Sequence, residues 1–104
     1  MASSLWEINF NYNKAVKQSN DLKGVARDLA NAANRDMEDI LSEVDRVWKS
    51  DNSSQYIQKG QKVCRDIVDT SKRIEQIADA IRTIAERVRR AEMEAWRIAN
   101  ERKT

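Results

Sequence analysis

Few side chains in this 104-residue chain are suited to catalysis. Histidine, the commonest general acid–base residue and metal ligand, is absent, so the single cysteine, Cys64, has no imidazole to activate it. Asp39 and Glu43 are four residues apart, a spacing that favours a solvated helix face. No glycine-rich phosphate loop occurs. We therefore predict no catalytic, cofactor-binding or metal site, and a protein that is not an enzyme.

The charge pattern also argues against a nucleic-acid partner. The 19 basic and 17 acidic side chains give a net charge of +2, and the two signs are interspersed along the chain. Acidic residues at 86, 92 and 94 interrupt the densest basic cluster, which consists of Arg82, Arg87, Arg89 and Arg90. A nucleic-acid binder more often concentrates its basic residues on one face.

The composition favours long helices, because proline is absent and glycine occurs only at 24 and 60. At the front, Trp6, Ile8, Phe10 and Tyr12 alternate with polar residues, a period of two that is typical of extended backbone. We predict an extended arm over residues 1–12, with a frayed helix start as the alternative.

A first helix is predicted over about residues 13–48. Its apolar or small residues are separated by steps of mostly four and three, which places them on one face. They are Ala15, Ser19, Leu22, Ala26, Leu29, Ala33, Met37, Ile40, Val44 and Val47. Polar residues follow at 49–53, where we predict the turn.

The second helix, predicted over about 54–102, carries three heptad series. One series is mainly small: Ile57, Cys64, Ser71, Ala78 and Ala85. Its companion is mainly large: Gly60, Ile67, Ile74, Ile81 and Val88. Two series suffice for a two-helix seam. The third widens the apolar stripe and predicts contact with more than one neighbouring helix: Val63, Thr70, Ile77, Ile84, Ala91 and Ile98.

These elements predict an all-α, single-domain antiparallel helix-turn-helix hairpin over residues 1–104, which pairs into a four-helix bundle. The helices would be roughly 54 Å and 73 Å long, so the second extends beyond the first after about Arg89, leaving Trp96 for the arm or a partner to cover. The predicted partner-binding seam consists of Leu22, Leu29, Ile40, Val44, Ile67, Ile74, Ile77, Ile81, Ile84 and Val88. Cys64 lies among isoleucines and is predicted to be a buried, inert thiol.

The turn segment resembles the signature of the WXG family, the small helical-hairpin proteins of type VII secretion. That family has Trp-Xaa-Gly at its bend and an aromatic residue eight positions after the Trp, a spacing that Trp48 and Tyr56 match. Ser50 stands where the family has glycine. The resemblance covers about nine residues in motif and nearly the whole chain in architecture. It implies export without a cleaved signal peptide, from the cytoplasm to the cell surface or beyond.

The family's export signal is an aromatic residue followed four positions later by an acid. Here Trp96 is followed by Asn100, and Glu101 is one position late, turned about 100° around a helix. The resemblance therefore implies an accessory member that binds the helical N-terminal domain of a secreted toxin and helps its export through the secretion machinery.

Two other functions fit the same residues. One is a homodimeric structural or adaptor module without a secretion role. The other is a helix pair that binds a membrane interface through Met93, Trp96 and Ile98, which nearby glutamates disfavour. No stretch is long and apolar enough to predict stable membrane insertion. Trp48 is predicted to close the end of the hairpin, to contact a partner, or to do both.

Overall fold

The computed structural model describes residues 4–48 and 51–102, and every one of these except Ser4 is helical. Helix α1 spans Leu5–Asn31, a π-helical segment follows at Ala32–Met37, and helix α2 spans Glu38–Trp48. Helix α3 spans Asp51–Arg102 and begins three positions after the last residue of α2. The predicted all-α class is confirmed.

The chain forms two compact units. The first consists of Met1–Leu22 and Gln76–Thr104, and the second of Lys23–Glu75. In the first unit α1 and α3 run antiparallel, since the early residue Tyr12 meets the late residue Arg89 and the later Ser19 meets the earlier Ala78. In the second unit α2 and α3 are also antiparallel, because the Leu41 side chain approaches Gly60 and Trp48 meets Tyr56.

The extended arm predicted for residues 1–12 is wrong over its described part, because α1 begins at Leu5. The Ser4 hydroxyl accepts a hydrogen bond from the Glu7 backbone N–H at 3.1 Å, and the Ser4 carbonyl accepts one from the Ile8 N–H at 3.0 Å. Ser4 therefore caps the helix. The four alternating large residues form two pairs whose members are four positions apart, Trp6 with Phe10 and Ile8 with Tyr12. Trp6 stacks on Phe10 at the surface, whereas Ile8 is buried.

The π-helical segment changes which residues of α2 face inward. A π-helical turn bonds residue i to residue i+5 and so contains more residues than an α-helical turn. The inward positions run Ala33, Met37, Leu41 and Val44, all buried or half-buried. Ile40, predicted on the inward face, is 62% exposed instead. The alternation of fours and threes fails here because it assumes an unbroken α-helix.

The mainly small series of α3 packs closest to the neighbouring helix. Cys64 and Ser71 in the second unit and Ala78 in the first are buried, and Cys64 is a free thiol, as predicted. The buried Ser19 hydroxyl donates a hydrogen bond of 2.7 Å to the Ala78 carbonyl. Small side chains allow this approach of α1 to α3.

The start of α3 differs from its predicted position. Asp51, Asn52 and Ser53 belong to the helix rather than to the predicted turn at 49–53. Residue types that favour turns also favour the start of a helix, so the composition of this stretch does not fix where the helix begins. The remaining two positions of the predicted turn, Lys49 and Ser50, lie outside the described residues.

Glycine at two helical positions gives a matched test of packing. A Cβ added at Gly24 meets nothing within 4 Å, so Gly24→Ala raises the free energy of unfolding by about 1 kcal/mol through the lower backbone entropy of the unfolded chain. A Cβ at Gly60 would lie 2.5 Å from Leu41 Cδ2, so Gly60→Ala gains less. Chemical denaturation measures both. Equal gains would contradict the contact between Gly60 and Leu41.

Candidate partner-binding surface

In the first unit, α3 exposes part of its third heptad series to solvent. Ile77 is 55% exposed and Ile84 is 59% exposed, and Ala91 and Ile98 follow at the same seven-residue spacing, also exposed. Single exposed apolar residues are ordinary on a protein surface, but a repeating row of them on one helix is a candidate interaction surface. We call these four residues the outer row.

A shallow apolar groove of about 250 Å³, which we call the C-terminal groove, lies beside the outer row, between α1 and α3 of the first unit. From α1 it is lined by Ile8, Asn11, Tyr12 and Ala15, and from α3 by Ile81, Ile84, Ala85, Val88, Arg89 and Glu92. Ile84 belongs to both the groove and the outer row. Its open shape and apolar lining suit the side chains of a helix better than a polar metabolite.

Two charged side chains of α3 line this C-terminal groove. The Arg89 guanidinium carbon lies 4.7 Å from the centre of the Tyr12 ring, a cation–π contact. The Glu92 carboxylate has one oxygen, Oε2, that is buried without a hydrogen-bond donor. The groove therefore combines an apolar lining with one engaged cation and one carboxylate oxygen that lacks a hydrogen-bond donor among the described residues.

The second unit carries an apolar patch formed by the exposed Ile40, Val47 and Trp48 of α2, the edge of the half-buried Val44, and Tyr56 of α3, whose ring contacts Trp48. We call it the Trp48 patch. The Trp48 and Tyr56 rings meet edge to face, with centroids 5.7 Å apart and planes at 75°. Both rings remain more than half exposed, so Trp48 is not a buried plug. The Trp48 patch thus brings together two of the three predicted turn-motif residues, while the third, Ser50, lies outside the described residues.

The predicted partner-binding seam separates into two sets by burial. One set is half-buried: Leu22, Leu29, Val44, Ile67, Ile74 and Ile81. The exposed residues are Ile40, Ile77, Ile84 and Val88. Only the second set offers large apolar area to another molecule, so the candidate surface is narrower than the sequence prediction.

The candidate export-signal residues lie near the end of α3. Trp96 and Asn100 are half-buried and four residues apart, whereas Glu101 is exposed. Arg97 donates hydrogen bonds to Glu94 Oε1 at 2.5 Å and to Glu101 Oε1 at 2.6 Å. The acid nearest to the expected position is therefore paired with Arg97.

The ion pairs around Arg97 make a testable electrostatic prediction. The hydrogen bond from Arg97, and secondarily its positive charge, lowers the pKa of Glu94 below its ordinary value of 4.5. A lowered pKa favours the folded chain above the ordinary pKa, and that contribution is lost as the pH falls through the folded value. Arg97→Gln returns the pKa of Glu94 toward 4.5, as measured by carboxyl ¹³C NMR titration. An unchanged pKa would contradict the pairing, and Arg87→Gln serves as the control.

Two features of this surface were missed in the sequence. The exposed Trp6–Phe10 stack, with centroids 5.0 Å apart, was hidden by the extended-arm interpretation. The spacing of Ser4 and Glu7, typical of a capping box, would have indicated a helix there. Glu92 is seven residues after Ala85 and so continues the mainly small heptad series. That position indicated a partly buried carboxylate.

No model of a known protein family matches this sequence, and no curated protein or solved structure matches it significantly. Among residues 4–48 and 51–102, no helix has the length and apolar character needed to cross a membrane. The same described part of the chain contains no group of three or more side chains that could hold a metal ion.

Proposed function

We propose that this protein is a non-enzymatic partner protein of type VII secretion. It binds the helical domain of a secreted effector or toxin and helps its export. In this proposal the chain is an antiparallel hairpin that pairs with the helices of the effector domain into a four-helix bundle. The protein is cytoplasmic before export and leaves the cell with its partner, without a cleaved signal peptide.

The observation that carries this proposal is the exposure of the outer row. Ile77 and Ile84 are each more than half exposed although their spacing is that of a heptad core. Burying a large aliphatic side chain contributes about 1.5–3 kcal/mol, so a helix that covers this row gains substantially. A partner that supplies apolar helices is the occupant that this periodicity favours.

The Trp48 patch supports the link to the WXG family. Trp48 and Tyr56 have the family's spacing and are in contact, and both rings are accessible to a partner. The departures at Ser50 and Asn100 favour an accessory role, in which the partner completes the export signal. Glu101 accepts a hydrogen bond from Arg97, so this acid is already paired, which supports an export signal that the partner completes.

Coexpression with the helical domain of a toxin encoded beside this protein tests the proposal. We expect the two chains to coelute in size-exclusion chromatography, with a mass by light scattering that equals one copy of each. Loss of export of both proteins in a strain lacking the secretion ATPase would support the secretion role. Independent elution of the two chains would contradict the proposal.

The alternative is a homodimeric helical module without a secretion role. The exposed apolar residues of both units favour it equally, because a second copy could cover them. Light scattering of the chain alone, across dilution, distinguishes the two. A stable dimer that does not exchange its partner for the effector domain would favour the homodimer.

A further inference from the structure

The Glu92 carboxylate is the least satisfied polar group among the described residues. Its Oε2 atom is buried and has no hydrogen-bond donor. Withdrawing a charged oxygen from water without a compensating partner is unfavourable. The same side chain lines the C-terminal groove, so a positive group placed in the groove would compensate it.

The cation that lines the same groove is already engaged. Arg89 is three residues before Glu92, but its guanidinium lies over the Tyr12 ring. The structure shows no hydrogen bond from any described residue to Glu92 Oε2. No described residue of this chain supplies the missing donor, so a cation of a partner can supply it.

The apolar lining of the groove indicates which kind of side chain would carry that cation. Ile81, Ile84, Ala85 and Val88 precede Glu92 on α3 and provide an apolar lining. A lysine or arginine side chain has a long aliphatic stem and a charged end, so it can lie on apolar surface while its head meets a carboxylate. Apolar residues one helical turn away on the same partner helix would then reach Ile84 and Val88.

We propose that the C-terminal groove receives a basic amphipathic helix of the partner, whose apolar side chains lie on Ile84 and Val88 and whose lysine or arginine pairs with Glu92. The inference rests on the proposed partner-binding function and specifies the partner's chemistry. In the complex the Glu92 Oε2 atom gains the donor that it lacks among the described residues.

Two helical peptides, tested against the full chain, separate charge from apolar contact. Both are alanine-based with the same two leucines, and they differ at one position that carries either lysine or norleucine. We expect the lysine peptide to bind about tenfold more tightly, and Glu92→Gln to reverse that preference. Changes in ¹⁵N–¹H NMR spectra report the affinity and should be concentrated at residues 8–15 and 81–92.

Stability of the free chain gives an independent measurement. If Glu92 serves the partner, Glu92→Met raises the melting temperature of the chain by a few degrees, because it removes an unsatisfied buried oxygen. If Glu92 instead stabilises the fold, the melting temperature falls, and the proposal is overturned. Met93→Leu is the control for altered packing at the adjacent position.

Three further outcomes would overturn the inference. They are tighter binding of the norleucine peptide to the natural chain, spectral changes confined to the Trp48 patch, and concentration-dependent changes in the groove that show a second copy occupying it. The proposed function fails separately. The proposed function fails if the lysine peptide binds but the effector domain does not. The inference alone fails if the Glu92→Gln chain binds the effector domain as tightly as the natural chain does.

Discussion

Ala78→Leu destabilises the protein by about 3 kcal/mol and lowers its melting temperature by on the order of 10–20 °C. Ala78 has 0% of its surface exposed, and its carbonyl accepts the hydrogen bond from the buried Ser19 hydroxyl. A leucine at this position forces α1 and α3 of the first unit apart, and the Ser19 hydroxyl then loses its acceptor. Urea denaturation followed by circular dichroism measures the change.

Ala80→Leu is the matched control, with the same substitution two residues along α3 at an exposed position. We expect a change within about 0.5 kcal/mol there, since exposed substitutions outside special features have small effects. Similar losses at both positions would show that leucine disfavours α3 generally. The close approach at Ala78 would then not be the cause.

Ile84→Asp weakens binding to the effector domain about 100-fold while leaving the helicity of the free chain unchanged. Ile84 is 59% exposed, so removing its apolar surface has little effect on folding. In the proposed complex the same side chain is desolvated at the centre of the interface, where such residues contribute 2 kcal/mol or more, and an unpaired charge adds a further penalty. Isothermal titration calorimetry measures the affinity.

Thr83→Asp introduces the same charge one residue earlier, on another exposed part of the helix. Because it lies off the outer row, we expect less than a threefold change in affinity. If Thr83→Asp weakens binding as much as Ile84→Asp, general charge repulsion rather than the outer row determines binding. If neither has an effect, the partner binds elsewhere.

Periodicity predicted the fold class and the inner face of α3 well. Cys64, Ser71 and Ala78 are buried because a heptad repeat in an uninterrupted helix keeps small residues on one side. Periodicity failed where the backbone left the α-helical repeat. The π-helical turn at Ala32–Met37 carries extra residues, so Leu41 rather than Ile40 faces inward.

The front of the chain shows a different limit. Four alternating large residues satisfied a period of two, but the same positions are also two pairs spaced by four, and only the Ser4 cap distinguishes a helix from an extended segment. The candidate surface was only partly predictable for a related reason. Sequence spacing identified the row that contains Ile77 and Ile84, whereas exposure depends on which neighbouring helix covers each face.

Nitroxide-induced broadening of isoleucine methyl signals tests the central claim most directly, that the outer row is bare in the free chain and covered by the partner. In the free chain, a soluble nitroxide should broaden the Ile77 and Ile84 methyl signals strongly and leave Ile8, which is 1% exposed, sharp. Adding the effector domain should protect Ile77 and Ile84. The account would be contradicted if both methyls were already protected in dilute, monomeric protein, or stayed broadened in the complex.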